Sequence, residues 1–593
     1  MLLQRLTEQA ERMPDLPPEF YRHRQIDWAL VITSDGAAPF LSDRRPPAKS
    51  RGQAVTEPVP YVQRSGTRVP PFLLVDTAEF VLARARAGAE ADGPGEKDLA
   101  EAARRHAEYL GLLRRWADEA PDDPTARTLL DVLTHGIATI DIPPELDARH
   151  TVAAVVDGQW LHERPSVREL WARIVRERKG SGSQEQELCL VCGKSGDLLS
   201  TIPEPVKKGA VPSTGGSNEA QLVSINSPAQ GRGGAIKLVN TPVCDHCGSR
   251  AMATLNRLLA TSSHRRSLPD GVLLWWTREP LNQPLIELID DSNPDPAAVA
   301  HLIDTLHHNP DPATATRITT NDFYALTLGL NNARTVVREW LDVPLDAVKA
   351  NLGAWFEDHG VYDGWRDTTR YLPLWHLALA AGRHNGTQYV KGTAPHGIER
   401  ELLHTALRRT PPPARLLPHL LQRIRADHHL DTPRTALLRL ALARSHNRTD
   451  RPMPRLDTAS TDPAYLCGRA FAVLEAVQQA ALPDVKATIG DKFFGTAMTA
   501  PAAVLANLRR GANAHLKRLR RDKKPAYLAL DARLSQAFAA FTDDLPTHLS
   551  PREQARFVIG YEQQRTADNQ ARAAAKAAKA ATQATDDGAD QTP

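Results

Sequence analysis

Cys189-Leu-Val-Cys192-Gly193 and Cys244-Asp-His-Cys247-Gly248 are two copies of one pattern, a Cys-x-x-Cys followed by glycine. Two intervening residues let both thiolates of a knuckle face one point. The glycine can take positive φ without a Cβ clash, which turns nearby backbone N–H groups back toward the sulfurs. Together the halves supply four soft thiolates, the closed tetrahedral set that structural zinc prefers. Such halves usually stand roughly 15–20 residues apart, whereas 51 residues lie between Cys192 and Cys244. The pattern predicts a zinc ribbon over 185–250 with a long inserted loop, holding one structural zinc on Cys189, Cys192, Cys244 and Cys247.

Other chemistries for these cysteines fit less well. Disulfides need an oxidising compartment, and the opening MLLQRLTEQAERMP holds no apolar run long enough for a signal peptide, so a cytoplasmic protein is expected. Thioredoxin-like redox chemistry uses one Cys-x-x-Cys, not two matched ones. His106-Ala107-Glu108 matches the H-x-E half of the zinc deaminase signature. However, a valine intrudes in Pro242-Val243-Cys244, and Cys189 and Cys192 would have no role. A deaminase would also need an open coordination position. Cys467 lies in an apolar helical run and reads as a small buried residue.

Outside the ribbon the chain divides by pattern. With 593 residues it is too long for one core, and no apolar stretch approaches the roughly 18 residues of a membrane span. Residues 1–184 read as an α+β domain that resumes over 251–290. A short amphipathic helix over 1–13 ends at Pro14. Residues 26–33 and 38–41 flank the turn signal Ser34-Asp35-Gly36 and predict a hairpin. A basic loop with Arg44, Arg45, Lys49 and Arg51 precedes Arg64-Ser65-Gly66-Thr67-Arg68. Helices are expected over 96–119, 124–133 and 166–178, and a strand–turn–strand over 152–160 around Asp157-Gly158. In the ribbon's insert, Lys207, Lys208, Arg232 and Lys237 stand near glycines that let backbone N–H groups approach phosphate. No P-loop or dinucleotide fingerprint is present, so nucleotide hydrolysis finds no support.

From 291 to 448 the pattern reads as a helical domain. Residues 323–340 read as a helix with Arg334 and Arg338 one turn apart on one face. A polar linker over 449–463 precedes a C-terminal helical bundle over 464–565. The Ala-rich end, 566–593, is expected to be a disordered tail. Within the bundle, Arg509, Arg510, Lys517, Arg518, Arg520, Arg521, Lys523 and Lys524 face a single acid, Asp522. Leu505, Leu508, Ala512, Leu516 and Leu519 form an apolar stripe at helical spacing, so these cations crowd onto exposed faces. A solvated helix mixes its signs. Backbone-directed nucleic-acid binding explains this one better than an acidic protein partner does.

Several blocks, in order, resemble the large subunit of the type I-C CRISPR interference complex. They are Arg64-Ser65-Gly66 with Pro71-Phe72-Leu73 and Asp76, then Leu222-Val-Ser-Ile-Asn226, then Leu328-Gly-Leu-Asn-Asn-Ala333-Arg334 with Val337-Arg-Glu-Trp340. Tyr465-Leu466 with Gly468-Arg469, Asp491-Lys-Phe-Phe-Gly495, and Gly560-Tyr561 with Gln564-Arg565 follow in the C-terminal part. The resemblance implies a non-catalytic protein at the 5′ handle of a guide RNA. It would check the flanking motif of target DNA, help to open the duplex and dock a separate helicase–nuclease beside repeated backbone subunits. The missing nuclease carboxylate cluster and Walker motif agree with this. A zinc-ribbon nucleic-acid adaptor outside CRISPR, or a zinc-dependent nuclease or deaminase, are the alternatives. The resemblance also implies a small subunit translated from an internal start, for which Met453 is placed just ahead of the bundle.

Overall fold

β1 (Tyr21–Gln25) and β4 (Thr56–Pro60) pair antiparallel, and β2 (Trp28–Ile32) joins a five-stranded sheet. In that sheet β2 lies between β3 (Phe40–Asp43), antiparallel, and β6 (Thr151–Val156), parallel. β5 (Val75–Thr77) and β7 (Gln159–Trp160) both pair antiparallel with β6. The computed structural model describes residues 2–35, 37–46, 55–64, 69–86, 94–182, 187–212, 219–281, 285–292, 294–307, 321–331, 334–445, 451–542 and 544–589. Lys49, Arg51 and Arg68 lie outside them.

The expected hairpins form for the expected reasons. β2 and β3 pair across the Ser34-Asp35 turn. Between β6 and β7, Asp157 and Gly158 both take positive φ, 48° and 77°, the two-residue turn whose twist suits adjacent strands. β6 is buried at all six positions, as a strand covered on both faces must be. Its core partners include Tyr109, Leu113 and Trp116 of α3 (Glu96–Glu119), Leu129 of α4 (Pro124–His135) and Trp171 of α5 (Pro165–Lys179). α1 (Leu2–Ala10) and α2 (Ala78–Val81) precede these helices, and α6 (Asp245–Ala260) follows them. A second sheet runs in the order β11-β10-β9-β8, from β8 (Arg265–Leu268), β9 (Gly271–Thr277), β10 (Asp322–Asn331) and β11 (Arg334–Pro344).

That sheet corrects the helix expected over 323–340. β10 is buried from Phe323 to Leu330, a run whose unbroken apolar character periodicity cannot assign to helix or strand. Thr335, Val336 and Val337 favour a strand, and β11 is the exposed edge. Arg334 and Arg338 still share a face, because residues four apart on a strand point the same way.

The chain divides into two compact units, Met1–Trp276 with Ala325–Leu341, and Thr277–Tyr324 with Asp342–Pro593. The seams between the units fall at 276/277, 324/325 and 341/342, with 325–341 returning to the first unit. The second unit holds α7 (Glu287–Asp290), α8 (Pro296–His307) and α9 (Leu345–His359), then the hairpin β12 (Val361–Asp363) and β13 (Thr368–Arg370). α10 (Leu374–Ala380), α11 (Ile398–Arg408), α12 (Leu416–Asp427) and α13 (Thr432–Ala443) follow. The C-terminal helices are α14 (Pro463–Ala481), α15 (Ile489–Thr499), α16 (Pro501–Asp522), α17 (Lys524–Ala539) and α18 (Pro551–Ala589).

α14 is the axle of this unit and is buried continuously from Ala464 to Val477. It crosses α18 at glycines. A Cβ on Gly468 would lie 2.0 Å from the Phe557 carbonyl, and one on Gly560 would lie 2.3 Å from that of Tyr465. Phe471, Phe494, Phe557 and Tyr561 cluster beside the crossing, with ring centroids 4.9–6.0 Å apart. Phe493, beside Phe494 on α15, is 40% exposed and takes no part in this cluster. α18 also corrects the disordered tail expected from Thr566, because the helix runs on to Ala589. Gln570 anchors it there, donating to the Tyr362 hydroxyl at 2.9 Å and to Gly364 O at 2.6 Å.

Candidate metal centre and nucleic-acid surfaces

The first knuckle is a tight loop. Gly193, at φ 70°, lets its N–H reach Cys189 O at 2.8 Å, and Cys189 N donates to Lys194 O at 3.0 Å. The second knuckle opens α6, where Cys244 is the N-cap and its Sγ accepts from Cys247 N at 3.5 Å. Gly248 is a helical residue, not a positive-φ one. A Cβ there would lie 2.6 Å from Leu199 Cδ1, so packing explains this glycine. Val191 N and Cys244 N approach Cys189 Sγ at 3.4 and 3.3 Å; burial raises the Cys189 pKa, and these donors only partly offset it.

All four sulfurs lie within 4.8 Å of one another, and Cys192 Sγ is 3.9 Å from Cys244 Sγ. A tetrahedral zinc with bonds of about 2.3 Å would space its sulfurs by about 3.8 Å, so the cysteines fit that ion. The hydrogen bond from Cys247 draws the Cys244 thiol down to about 5 and pushes that of Cys247 up. Such crowded thiols shed their protons together when a dication arrives. Val191, Leu198, Val243 and Leu3 of α1 pack around the site. Among the described residues these cysteines are the one group of His, Cys, Asp or Glu that could hold a metal. His106, whose Nδ1 bonds Phe80 O at 2.9 Å, is not part of that group.

The sequence-predicted cations fall into three situations. Arg64 is locked in place. Its Nη2 is 2.6 Å from Asp76, which is fully buried, and its guanidinium stacks 3.3 Å from the Phe72 ring centroid. Burial outweighs Asp76 and lowers its pKa. Arg45 pairs with Asp43 at 2.7 Å, whereas Arg44 is exposed beside Trp160. In the insert, Lys208, Arg232 and Lys237 are exposed and Lys207 is half-buried. Bridges from Val206 to Ala220 and from Gln221 to Arg334 lay the insert along the start of β11, bringing Lys207 and Arg334 onto one run of paired backbone. Arg338 pairs with Asp270 at 3.3 Å.

Arg24, Arg178 and Lys179 in the first unit escaped sequence reasoning, although they continue a row that Arg64 and Lys237 begin. Arg24 lies 5.8 Å from the Phe72 ring that Arg64 also covers. Arg178 donates to Pro71 O at 2.9 Å and sits 5.4 Å from the Trp171 ring. Lys179 follows it, and its carbonyl accepts from Ser200 N, whose own carbonyl accepts from Leu238 N beside Lys237. Burial and then Arg64 push Arg178 down to about 10; burial, Lys237 and Arg178 lower Lys179. Segments far apart in sequence build this row, so no local charge run announced it.

In the second unit the basic helix forms as α16, with Lys523 as its C-cap and Lys524 opening α17. Leu505, Ala512, Leu516 and Leu519 are buried and Leu508 is half-buried. Arg510, Lys517, Arg518, Arg520, Arg521, Lys523 and Lys524 are exposed. Arg518 and Arg521 face Asp522 at 3.7 and 2.6 Å, and Arg509 folds toward the Phe538 ring and Asn513.

No helix among the described residues is long and apolar enough to cross a membrane. No curated protein matches the chain. The family model described as CRISPR-associated protein (Cas_Csd1) matches residues 2–568, taking in both units, the cysteine knuckles and the basic helix. That extent places the whole architecture, and not one module of it, in a single family: the chain belongs to the CRISPR-associated Cas_Csd1 family.

Proposed function

We propose that the chain is the non-catalytic large subunit of a type I-C RNA-guided surveillance complex. It binds the guide RNA 5′ handle, recognises the flanking motif of target DNA, helps to open the duplex and recruits the helicase–nuclease. Guide pairing reads the target in such complexes, and protein reads only the short flank. The observation that carries the nucleic-acid part is the row Arg24, Arg64, Arg178, Lys179 and Lys237, in which each cation lies near the next and only Arg64 and Arg178 have the buried carboxylate of Asp76 beside them. Crowded, half-buried cations repel one another, and polyanion binding relieves that repulsion.

Arg64 is a positioning residue, because Asp76 and Phe72 occupy its guanidinium. Arg24, Arg44, Arg178, Lys179 and Lys237 meet nucleic acid, with Lys207, Lys208, Arg232 and Arg334 along the insert. One zinc on the four cysteines holds the knuckles together and takes no part in chemistry. Backbone subunits and the helicase–nuclease are the protein partners, and a small subunit starting at Met453 is a further one.

Binding of the assembled complex to duplexes randomised at the flank tests this reading. Alanine at a base reader should abolish flank preference, and at a phosphate contact it should weaken every flank alike. Unchanged binding in all variants of the row would overturn the assignment.

A further inference from the structure

Trp365 is 79% exposed, more than any other large hydrophobic side chain among the described residues. It stands in the turn between β12 and β13, whose last pair is Asp363 with Thr368. The turn is rigid. Trp365 N donates to Asp363 Oδ1 at 2.9 Å, Arg366 N to Asp363 O at 3.3 Å, and the Tyr362 hydroxyl to Asp367 at 2.7 Å. Tyr362 N donates to Pro454 O at 3.1 Å, and Gln570 of α18 clamps Tyr362 and Gly364 from the other side. A Cβ on Gly364 would lie 2.6 Å from the Gln570 side chain. The indole is therefore held out on a fixed support.

Arg366 lies in the turn, Arg370 ends β13 opposite Val361, and Arg455 lies 5.7 Å from the Tyr362 ring; all three are exposed and without ion-pair partners among the described residues. Asp363 and Asp367 are engaged inside the turn. A protein-docking anchor sits within an apolar patch, whereas the neighbours here are Gly364, Arg366 and Asp367. A lone π-face among free guanidiniums suits a stacked base between phosphates.

We infer that Trp365 stacks on an unpaired base of single-stranded DNA while Arg366, Arg370 and Arg455 meet its flanking phosphates. The inference rests on the proposed function and names the residue that engages the opened strand. The test is equilibrium binding of the full chain to a labelled single-stranded oligodeoxynucleotide across a salt series, with an RNA of the same sequence as a second arm. Trp365→Ala should weaken DNA binding about tenfold with an unchanged salt slope, and Trp365→Phe should restore most of it. Arg366→Gln with Arg370→Gln should lower the slope by roughly 1.4. Full DNA affinity in Trp365→Ala, or a loss confined to RNA, would overturn the inference and leave the proposed function standing. A wild-type chain that binds no nucleic acid would overturn both.

Discussion

Cys189 and Cys247 are each 1% exposed, whereas Cys192 faces solvent. Replacing Cys189 by Ser would leave three of the four candidate ligands inside the small core of Val191, Leu198 and Val243. Metal binding of this kind is folding free energy. Cys189→Ser should therefore lose zinc in atomic emission and lower Tm by roughly 5 °C or more. Retention of zinc with an unchanged melt would contradict a structural site. The cysteines and Gly193 were legible because a knuckle is a local pattern. Gly248 carried the same signal for a different reason, a Leu199 contact that no spacing reveals.

Glu204 was invisible in the sequence. It is buried, accepts from Asn256 at 2.8 Å and has Arg22 at 3.7 Å, while Arg22 also pairs with Glu219 at 2.8 Å. Burial raises its pKa from 4.5 to about 7. The folded chain then keeps a proton that the unfolded chain releases between those values, so stability falls as pH rises through that window. Glu204→Gln should flatten that part of a melting profile between pH 5 and about 8. An equal pH slope in wild type and variant would remove Glu204 from the account.

At the scale of elements, helices with one clear apolar stripe were read to within a few residues. The 96–119 expectation and α3 coincide. The β10–β11 hairpin was misread because burial on both faces erases periodicity. α16 was read correctly, but its charges are not equivalent. Arg518 and Arg521 share Asp522, whereas Lys517 and Arg520 are exposed without ion-pair partners among the described residues. Neutralising Arg510, Lys517 and Arg520 to Gln should lower the salt slope of single-strand binding by roughly 2, at about 0.7 per phosphate contact. Tm should be unchanged, since these side chains lie off the buried stripe. An unchanged slope would assign this face to a protein partner. The α14–α18 crossing makes a separate prediction. Gly468→Ala must push backbone from backbone and should cost about 1–3 kcal/mol in denaturant unfolding; a neutral effect would mean the helices separate freely.

At the scale of the whole molecule, the expected order of an α+β region, a cysteine insert and a helical C-terminus holds, but the seams differ. The linker around Met453 is stitched into the second unit. Gln563 donates to Met453 O at 2.7 Å, Tyr362 N reaches Pro454 O, and Arg451 pairs with Glu357 and Asp358 at 2.8 Å. α18 packs on α12 and α13 as well as on α14. A product starting at Met453 would keep the α14–α18 core and uncover that second face of α18. Long-range seams of this kind leave no mark in local composition, which is why the sequence showed a linker where the structure shows a fastened strap.

Membership of an RNA-guided complex is the central claim, and co-purification measures it most directly. The chain is expressed with its genomic neighbours and isolated through a tag, and the bound nucleic acid is sequenced. A discrete RNA of fixed 5′ handle and variable guide is expected, in constant ratio to the chain and to repeated backbone subunits. A chain recovered without RNA, or with RNA lacking a common handle, would contradict it.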